Sequence, residues 1–268
     1  MFFRRLVKNF IWFFKYLWLF FWLPKNRGKQ VGSLMLTVDM ETAKDFINWQ
    51  SAERATKHAI ISRKAISGMV DLAEKYNLPI TWLVTGASLI NNPDKPLEYF
   101  GDLVDRLVAS SAGHEIGSHT YTHPHCASLS REDFETEMRK TKTEFDKKNL
   151  PMFSHAYPWN EVGHFESLKS FGIQAVRLKL GKYPSKILAT RAGSPKIIYQ
   201  SLEATPLSAW LIKWGVSLAI KSGRNFVWLL HPENFYYQSD LEIIERVFKF
   251  ANKKRDREIL RIITMKQV

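Results

Sequence analysis

Four of the eight histidines in the chain fall within thirteen residues, His114 to Cys126 (HEIGSHTYTHPHC). Two of them, His119 and His123, form an H-x-x-x-H pair, and neutral imidazole is a common ligand for zinc and similar ions. Such a pair grips an ion from one side only. A catalytic zinc site usually adds a third protein ligand, often a carboxylate, and keeps one position open. Taken alone, the pair is a weak signal, because scattered histidines are mostly structural. Its setting strengthens it. Glu115-Ile116-Gly117-Ser118 reads as a short strand, and α/β proteins build their sites where strands give way to loops.

Two other stretches offer the missing groups. Gly32 to Val38 (GSLMLTV) reads as a buried strand that runs straight into Asp39-Met40-Glu41. Carboxylates at i and i+2 leave an extended chain in the same direction. Phe226 to Leu230 (FVWLL) reads as another buried strand and runs into His231-Pro232-Glu233-Asn234. If the strands form a barrel, these three ends share one mouth. One carboxylate and two histidines can hold a divalent ion. The spare carboxylate can deprotonate water, and the lone histidine can protonate a leaving amine. That is the equipment for metal-assisted hydrolysis of an amide.

The elements that must position these groups alternate between strand and helix. Ala52–Asn77 is expected to be helical, with Ile66, Met69, Val70, Ala73 and Tyr76 on its inner face. Strands are expected at Pro79–Thr85, Glu115–Ser118, Met152–Tyr157, Gly172–Leu178 and Glu258–Met265, with further strand in the ambiguous stretch Gly181–Gln200. Helices are expected at Leu97–Ala109, at Ser130 to about Lys148, at Gly163–Ser170, and from Thr205-Pro206 to Ser222, closed by Gly223. Ser130 with Asp133, and Ser239 with Glu242, resemble capping boxes. The alternation implies a mainly parallel sheet. Seven or eight strands, each with a helix, fit an α/β fold with a closed or distorted β/α barrel.

At the quoted motifs the chain resembles the polysaccharide deacetylases, carbohydrate esterase family four, from about Leu34 to Met265. TVDME at 37–41 is similar to the family's first motif, HTYTH at 119–123 to the second, and LLHPEN at 229–234 to the last. The resemblance implies a distorted seven-stranded β/α barrel that removes acetyl, and sometimes formyl, groups from amino sugars. It implies Asp39 as base, Glu41, His119 and His123 as ligands of one divalent ion, zinc above all, and His231 as general acid. The third motif departs from the pattern. In HAYPWN at 155–160, Ala156 stands where the family has the arginine that orients the base, while Pro158 and Trp159 remain. Arg191, in ATRAGS, is a candidate for the region of the family's penultimate motif, in which an Asp near a Trp orients the histidine acid. Trp159 and Asn160 would line the substrate or oxyanion side, with a backbone N–H near Trp159 as donor, and Asn234 would do so from the last motif. Trp49, after the first motif, could stack on a sugar or simply pack its loop. His125 and His155 are weaker pocket candidates, and His58 and His164 read as structural or surface residues.

The net charge of +13 is unevenly spread. Residues 1–29 hold Arg4, Arg5, Lys8, Lys15, Lys25, Arg27 and Lys29 and no acid, so the remainder has 32 basic against 26 acidic residues. Residues 1–24 are crowded with Phe, Trp, Tyr and Leu. Their longest uncharged run, Tyr16–Pro24, is short of the ~20 residues of a membrane span, and no small-residue cleavage site follows. Arg4, Lys8 and Lys15 fall near one helical face, and Trp12 and Trp22 lie close to it. The segment therefore reads as an amphipathic helix in the membrane interface, followed by a connector at 25–31 and the catalytic domain at 32–268. The single cysteine, Cys126, excludes an internal disulfide. Together these features lead us to expect an inner-membrane enzyme at the cytoplasmic face, whose partners are the membrane surface and an amino-sugar glycolipid. A catalytically inactive glycolipid-binding protein, a deacetylase of cell-wall or O-antigen polysaccharide, and a hydrolase of another bond are the alternatives. The basic residues outside the N-terminal segment form no nucleic-acid motif.

Overall fold

The sheet is organised around β1 (Gly32–Met40), all nine residues of which are buried. The computed structural model describes residues 31–47, 49–179, 194–203 and 209–268. The expected helix at 1–24, most of the connector, Arg191 and Thr205-Pro206 lie outside the described residues. In chain order the remaining elements are α1 (Ala43–Ile47), α2 (Ala52–Tyr76), β2 (Thr81–Val84), α3 (Gly101–Ala109), β3 (Glu115–Ser118), α4 (Arg131–Lys147), β4 (Ser154–Ala156), β5 (Ala175–Lys179), β6 (Lys196–Gln200), β7 (Leu202–Glu203), α5 (Ala209–Ser222), β8 (Asn225–Leu230), α6 (Gln238–Arg255) and β9 (Leu260–Ile262).

All the strand pairings are parallel, and the hydrogen-bonded order is β6-β5-β4-β3-β2-β1-β8-β7. β6 and β7 are consecutive segments separated only by Ser201. β6 pairs with β5 and β7 with β8, and the Ser201 N–H donates to the Val227 carbonyl at 3.0 Å. Together they act as one bent strand that nearly closes a seven-membered ring. β9 pairs with the start of β1, at Gly32–Leu34, on the edge that β2 takes over from Thr37. The expectation of a distorted, mainly parallel β/α barrel is thus met.

Period-two alternation along β1 divides its side chains between two cores. Leu34, Leu36, Val38 and Met40 join the large apolar layer between barrel and helices. Met35 joins the small inner cluster with Leu83, Ala156, Ala175, Ile198 and Val227. Thr37, Asp39 and Glu41 continue the inward row toward the mouth and are buried there. A slip of one residue would turn both carboxylates into the helix layer, so the apolar pattern of β1 fixes the site.

Several boundaries differ from expectation. The strand expected over Glu258–Met265 shortens to Leu260–Ile262, and Phe165–Phe171 forms a 3-10 segment rather than an α-helix. Tyr76 is only half-buried because its hydroxyl reaches out to Glu245 at 3.0 Å. The Ser130/Asp133 cap is present, with the Asp133 N–H donating to Ser130 Oγ at 3.1 Å. The second box is displaced. α6 starts two residues earlier than Ser239/Glu242 implies, and Asp240 accepts from the Tyr237 N–H at 2.9 Å. Among the described residues no helix is long and apolar enough to cross a membrane.

Candidate active site

Three strand ends meet at the mouth. β1 brings Asp39 and Glu41, β3 brings His119, and β8 brings His231. The turn after β3 carries the histidine pair. His119 extends the ladder by donating its N–H to the Val84 carbonyl at 2.8 Å. The chain then reverses through Thr120 (φ 65°) and reaches His123 (φ 59°), both left-handed. Left-handed backbone at non-glycine residues is held only where neighbours fix it. Here Glu137 of α4 does so: its carboxylate accepts from the N–H groups of Tyr121 (3.0 Å) and Thr122 (2.8 Å) and from the Thr122 hydroxyl (3.1 Å). Gly86 is required beside it, since a Cβ there would lie 2.5 Å from the Tyr121 ring. The result places the two imidazoles 5.0 Å apart.

Glu41 Oε1 lies 3.1 Å from His123 Nε2 and 3.9 Å from His119 Nε2, and all three residues are buried. One ligand atom from each lies within 4.8 Å of the others, which makes this trio a candidate metal cluster. Ligands about 2.0–2.2 Å from a shared tetrahedral ion stand roughly 3.3–3.6 Å apart, so these separations are of the right size. The donor chemistry also fits. His119 Nδ1 is 2.8 Å from the Ala156 carbonyl, which fixes that nitrogen as the N–H and turns the Nε2 lone pair toward Glu41. Burial pushes the His119 pKa down to about 4, so this imidazole is neutral and ready to coordinate. Burial also opposes charge on His123, but Glu41 beside it outweighs that and raises its pKa to about 9; His123 in turn holds Glu41 ionised.

Asp39, whose Oδ2 also lies 3.9 Å from His119 Nε2, is clamped by a group on another strand. Arg177 of β5, 1% exposed, donates Nη1 to Asp39 Oδ1 at 2.7 Å and Nη2 to Oδ2 at 2.6 Å. A third bond, from Nη1 to the Thr37 hydroxyl at 3.1 Å, fixes the fork in the plane of the carboxylate. Burial alone would raise the Asp39 pKa, but Arg177, then His119 and His231, overcome it and hold the carboxyl well below the usual range. Arg177 is the register partner of Ala156. The cation absent from β4 is therefore supplied at the same level of the barrel by the next strand, and the small Ala156 side chain leaves room for it.

His231 faces Asp39 across 3.6 Å. Its burial disfavours the charged form, yet Glu233, Asp39, Glu41 and Glu203 together raise its pKa, so it carries a proton more readily than an ordinary histidine. Asn234 points within its own loop, donating to Glu233 Oε1 at 3.1 Å. Burial drives the Glu233 carboxyl up to about 8, and the neighbouring His231 opposes that shift.

Trp159 closes one wall. Its backbone is left-handed (φ 57°, ψ 9°), and its ring lies 5.0 Å from His123, stacks on His125 at 4.9 Å and meets Trp49 edge-on at 5.4 Å. Asn160 follows in the same conformation (φ 52°), its N–H closing a turn onto the Tyr157 carbonyl at 3.1 Å. His125 also pairs with Glu161 at 3.0 Å, His155 is fully buried against Ser118, and His164 bonds the Leu129 carbonyl at 2.9 Å. Asp45 was not expected. It is buried beneath the first motif, where it accepts from the N–H and hydroxyl of Thr42 and from the Thr85 hydroxyl; burial raises its pKa to about 6.

Comparison with known proteins matches residues 57–163 to the polysaccharide deacetylase family model. Over that stretch the chain is similar to a polysaccharide deacetylase domain. Part of the chain is 31% identical, over 87 residues, to the peptidoglycan-N-acetylglucosamine deacetylase PgdA of Listeria monocytogenes; the match spans 32% of this chain and 16% of that protein. Among solved structures, a Mycobacterium smegmatis protein assigned as a polysaccharide deacetylase superposes with a TM-score of 0.70 at 14% identity, over 91% of each chain. The Bc1960 peptidoglycan N-acetylglucosamine deacetylase gives 0.56 at 17% identity, over 91% of this chain and 90% of that one. The PuuE allantoinase gives 0.67 at 12% identity, over 91% of each chain. At these identities the structural likenesses establish that the chain shares their fold.

Proposed function

We propose that this chain is a metal-dependent hydrolase that removes an N-acetyl or N-formyl group from an amino sugar, carried on a membrane lipid such as a polyprenyl phosphate or a lipid-A-type glycolipid. The observation that carries the reading is the separation of two buried carboxylates into two tasks. Glu41 pairs closely with His123 and faces His119, whereas Asp39, equally far from His119, is clamped by Arg177 and faces His231. PgdA of Listeria, which the chain matches in part, is named for the same type of amide cleavage.

In this reading Glu41, His119 and His123 hold one divalent ion, zinc above all. When bound there, the ion supplies Lewis-acid polarisation of the scissile carbonyl. Asp39 takes the proton of the attacking water. Arg177 keeps its carboxylate ionised and oriented, at the expense of basicity. The backbone N–H near Trp159 donates to the oxyanion that forms. His231 gives its proton to the leaving nitrogen as the C–N bond breaks, releasing the carboxylic acid and the free amino sugar. Trp159 and Trp49 supply apolar faces on which a sugar ring stacks, with Asn160 and Asn234 at the edge of the same pocket. A base held by a bidentate arginine is an arrangement for turnover, which speaks against the alternative of a catalytically inactive binder.

The lipid carrier and the inner-membrane, cytoplasmic location are supported by the aromatic and basic composition of residues 1–24. The test is mass spectrometry of a polyprenyl-phosphate-linked N-acetylhexosamine incubated with detergent-solubilised protein, with zinc and with chelator. Zinc-dependent loss of one acetyl group supports the proposal. Turnover of a peptidoglycan fragment but not of any lipid-linked sugar would move the substrate to the cell wall.

A further inference from the structure

The outer face of α2 changes chemistry in a fixed order as it leaves the active site. Next to the mouth stands Trp49, 47% exposed, in edge contact with Trp159. One turn into α2 come Arg54 and Lys57, both exposed and without an acidic partner within 4 Å among the described residues. Lys57 stands at the near end of an open groove of about 560 Å³, where Glu53 and Thr56 also line it, and one turn further Ile60 and Ile61 face Tyr236 and Tyr237 across it. Ile60 is 54% exposed and Tyr237 69%. Arg54 and Ile61 are seven residues apart, roughly 10 Å along the helix axis.

The groove is joined to the site on both sides. Tyr236 and Tyr237 follow directly on the His231–Asn234 segment. The Tyr236 hydroxyl also lies 3.1 Å from His58 Nε2, and His58 packs on Phe46 at 5.4 Å, which packs on Trp49 at 6.1 Å. Aromatic surface, then two cations at the near end of a groove whose far end is walled by Ile60, Ile61, Tyr236 and Tyr237, matches the order of parts in a sugar joined through phosphate to a hydrocarbon chain. Resting on the hydrolase reading above, we propose that the groove of Ile60, Ile61, Tyr236 and Tyr237 receives the first isoprene units of a lipid carrier, with its phosphate at Arg54 and Lys57.

Ile60→Glu and Tyr237→Ser change exposed side chains and should leave folding intact. With the full chain in detergent, each should raise KM about tenfold for a polyprenyl-phosphate-linked N-acetylhexosamine, the loss expected for one large apolar contact. KM for a water-soluble N-acetylhexosamine disaccharide should not change. Lys57→Glu should weaken only the lipid-linked substrate and remove part of its salt dependence. Equal changes for both substrates, or none for either, would overturn the groove while leaving amide hydrolysis in place. A second readout needs no turnover. Photo-crosslinking of wild-type protein with a diazirine-bearing farnesyl phosphate should label peptides from 53–64 and 235–238. Labelling confined to other segments, including an outcome in which residues 1–24 fill the groove, would refute the proposal even if neither sugar were hydrolysed.

Discussion

Replacing Arg177 by Met separates the two things its guanidinium does. Arg177 and Asp39 are 1% and 3% exposed and share two bonds of 2.6–2.7 Å, so the variant strands a carboxylate in the barrel interior. Breaking a buried pair from one side typically costs about 3–5 kcal/mol, because the remaining charge is uncompensated. For a domain of this size that is a fall in Tm of roughly 6–20 °C. The sign with pH follows from linkage. The folded Asp39 pKa lies below its unfolded value, so its stabilising contribution is present above the ordinary carboxylate range and is lost as pH falls through the folded value. In Arg177→Met burial is no longer opposed by the guanidinium, and the carboxyl pKa moves upward. The variant should therefore show a new acid limb in its rate profile within the range where wild type is flat. Activity at pH 7 should drop by about 10²–10⁴, the worth of a positioned general base. Arg177→Lys should recover less than half of the lost stability, since one ammonium cannot match both oxygens. Thermal scans and kcat/KM from pH 4 to 9 give the answer. Wild-type Tm together with an unchanged acid limb would refute the argument that Arg177 replaces the arginine missing from β4.

Other substitutions probe the supports of the site. Glu137→Ala frees the Tyr121 and Thr122 N–H groups that hold the left-handed turn, and should weaken zinc affinity about 10–100-fold by calorimetry while the fold persists. Glu233→Gln should remove a pH dependence: the wild-type carboxyl favours its neutral form up to about pH 8, so wild-type stability falls as pH rises from the carboxylate range to that value, and the Gln variant should lack this slope in chemical denaturation. Cys126 is buried and its thiol is pushed up to about 12, so it should not react with thiol reagents at neutral pH until denaturant is added; rapid labelling of native protein would contradict that placement.

Much of the site was legible because its residues sit on strands with strong apolar patterning. GSLMLTV fixes which way Asp39 and Glu41 point, and FVWLL does the same for His231. The H-x-x-x-H spacing announced His119 and His123, although not the left-handed turn that makes them converge. Arg177 was not read. In AVRLK it looks like one basic residue on a strand edge, and only parallel register with Ala156 reveals that it fills the level where arginine was missing. A cation inside an otherwise apolar strand was the signal available. Glu137 was hidden among the other acids of α4, since no local pattern marks which acid caps a distant loop. Glu233 was overshadowed by His231, and its burial follows from packing rather than from sequence. The α6 cap failed for a related reason: Ser239 and Glu242 fit the spacing rule, but the chain enters the helix through exposed Tyr237, and Asp240 lies within reach of its N–H.

The central claim is that Glu41, His119 and His123 bind one ion that amide hydrolysis requires. Its most direct test is metal content and deacetylation measured on the same samples of wild-type protein and His119→Ala, by elemental analysis and by mass spectrometry of an N-acetylhexosamine substrate. The account predicts one ion per wild-type chain with zinc-dependent loss of acetyl, and neither in the variant. Full turnover by His119→Ala, or by metal-free wild type, would contradict it.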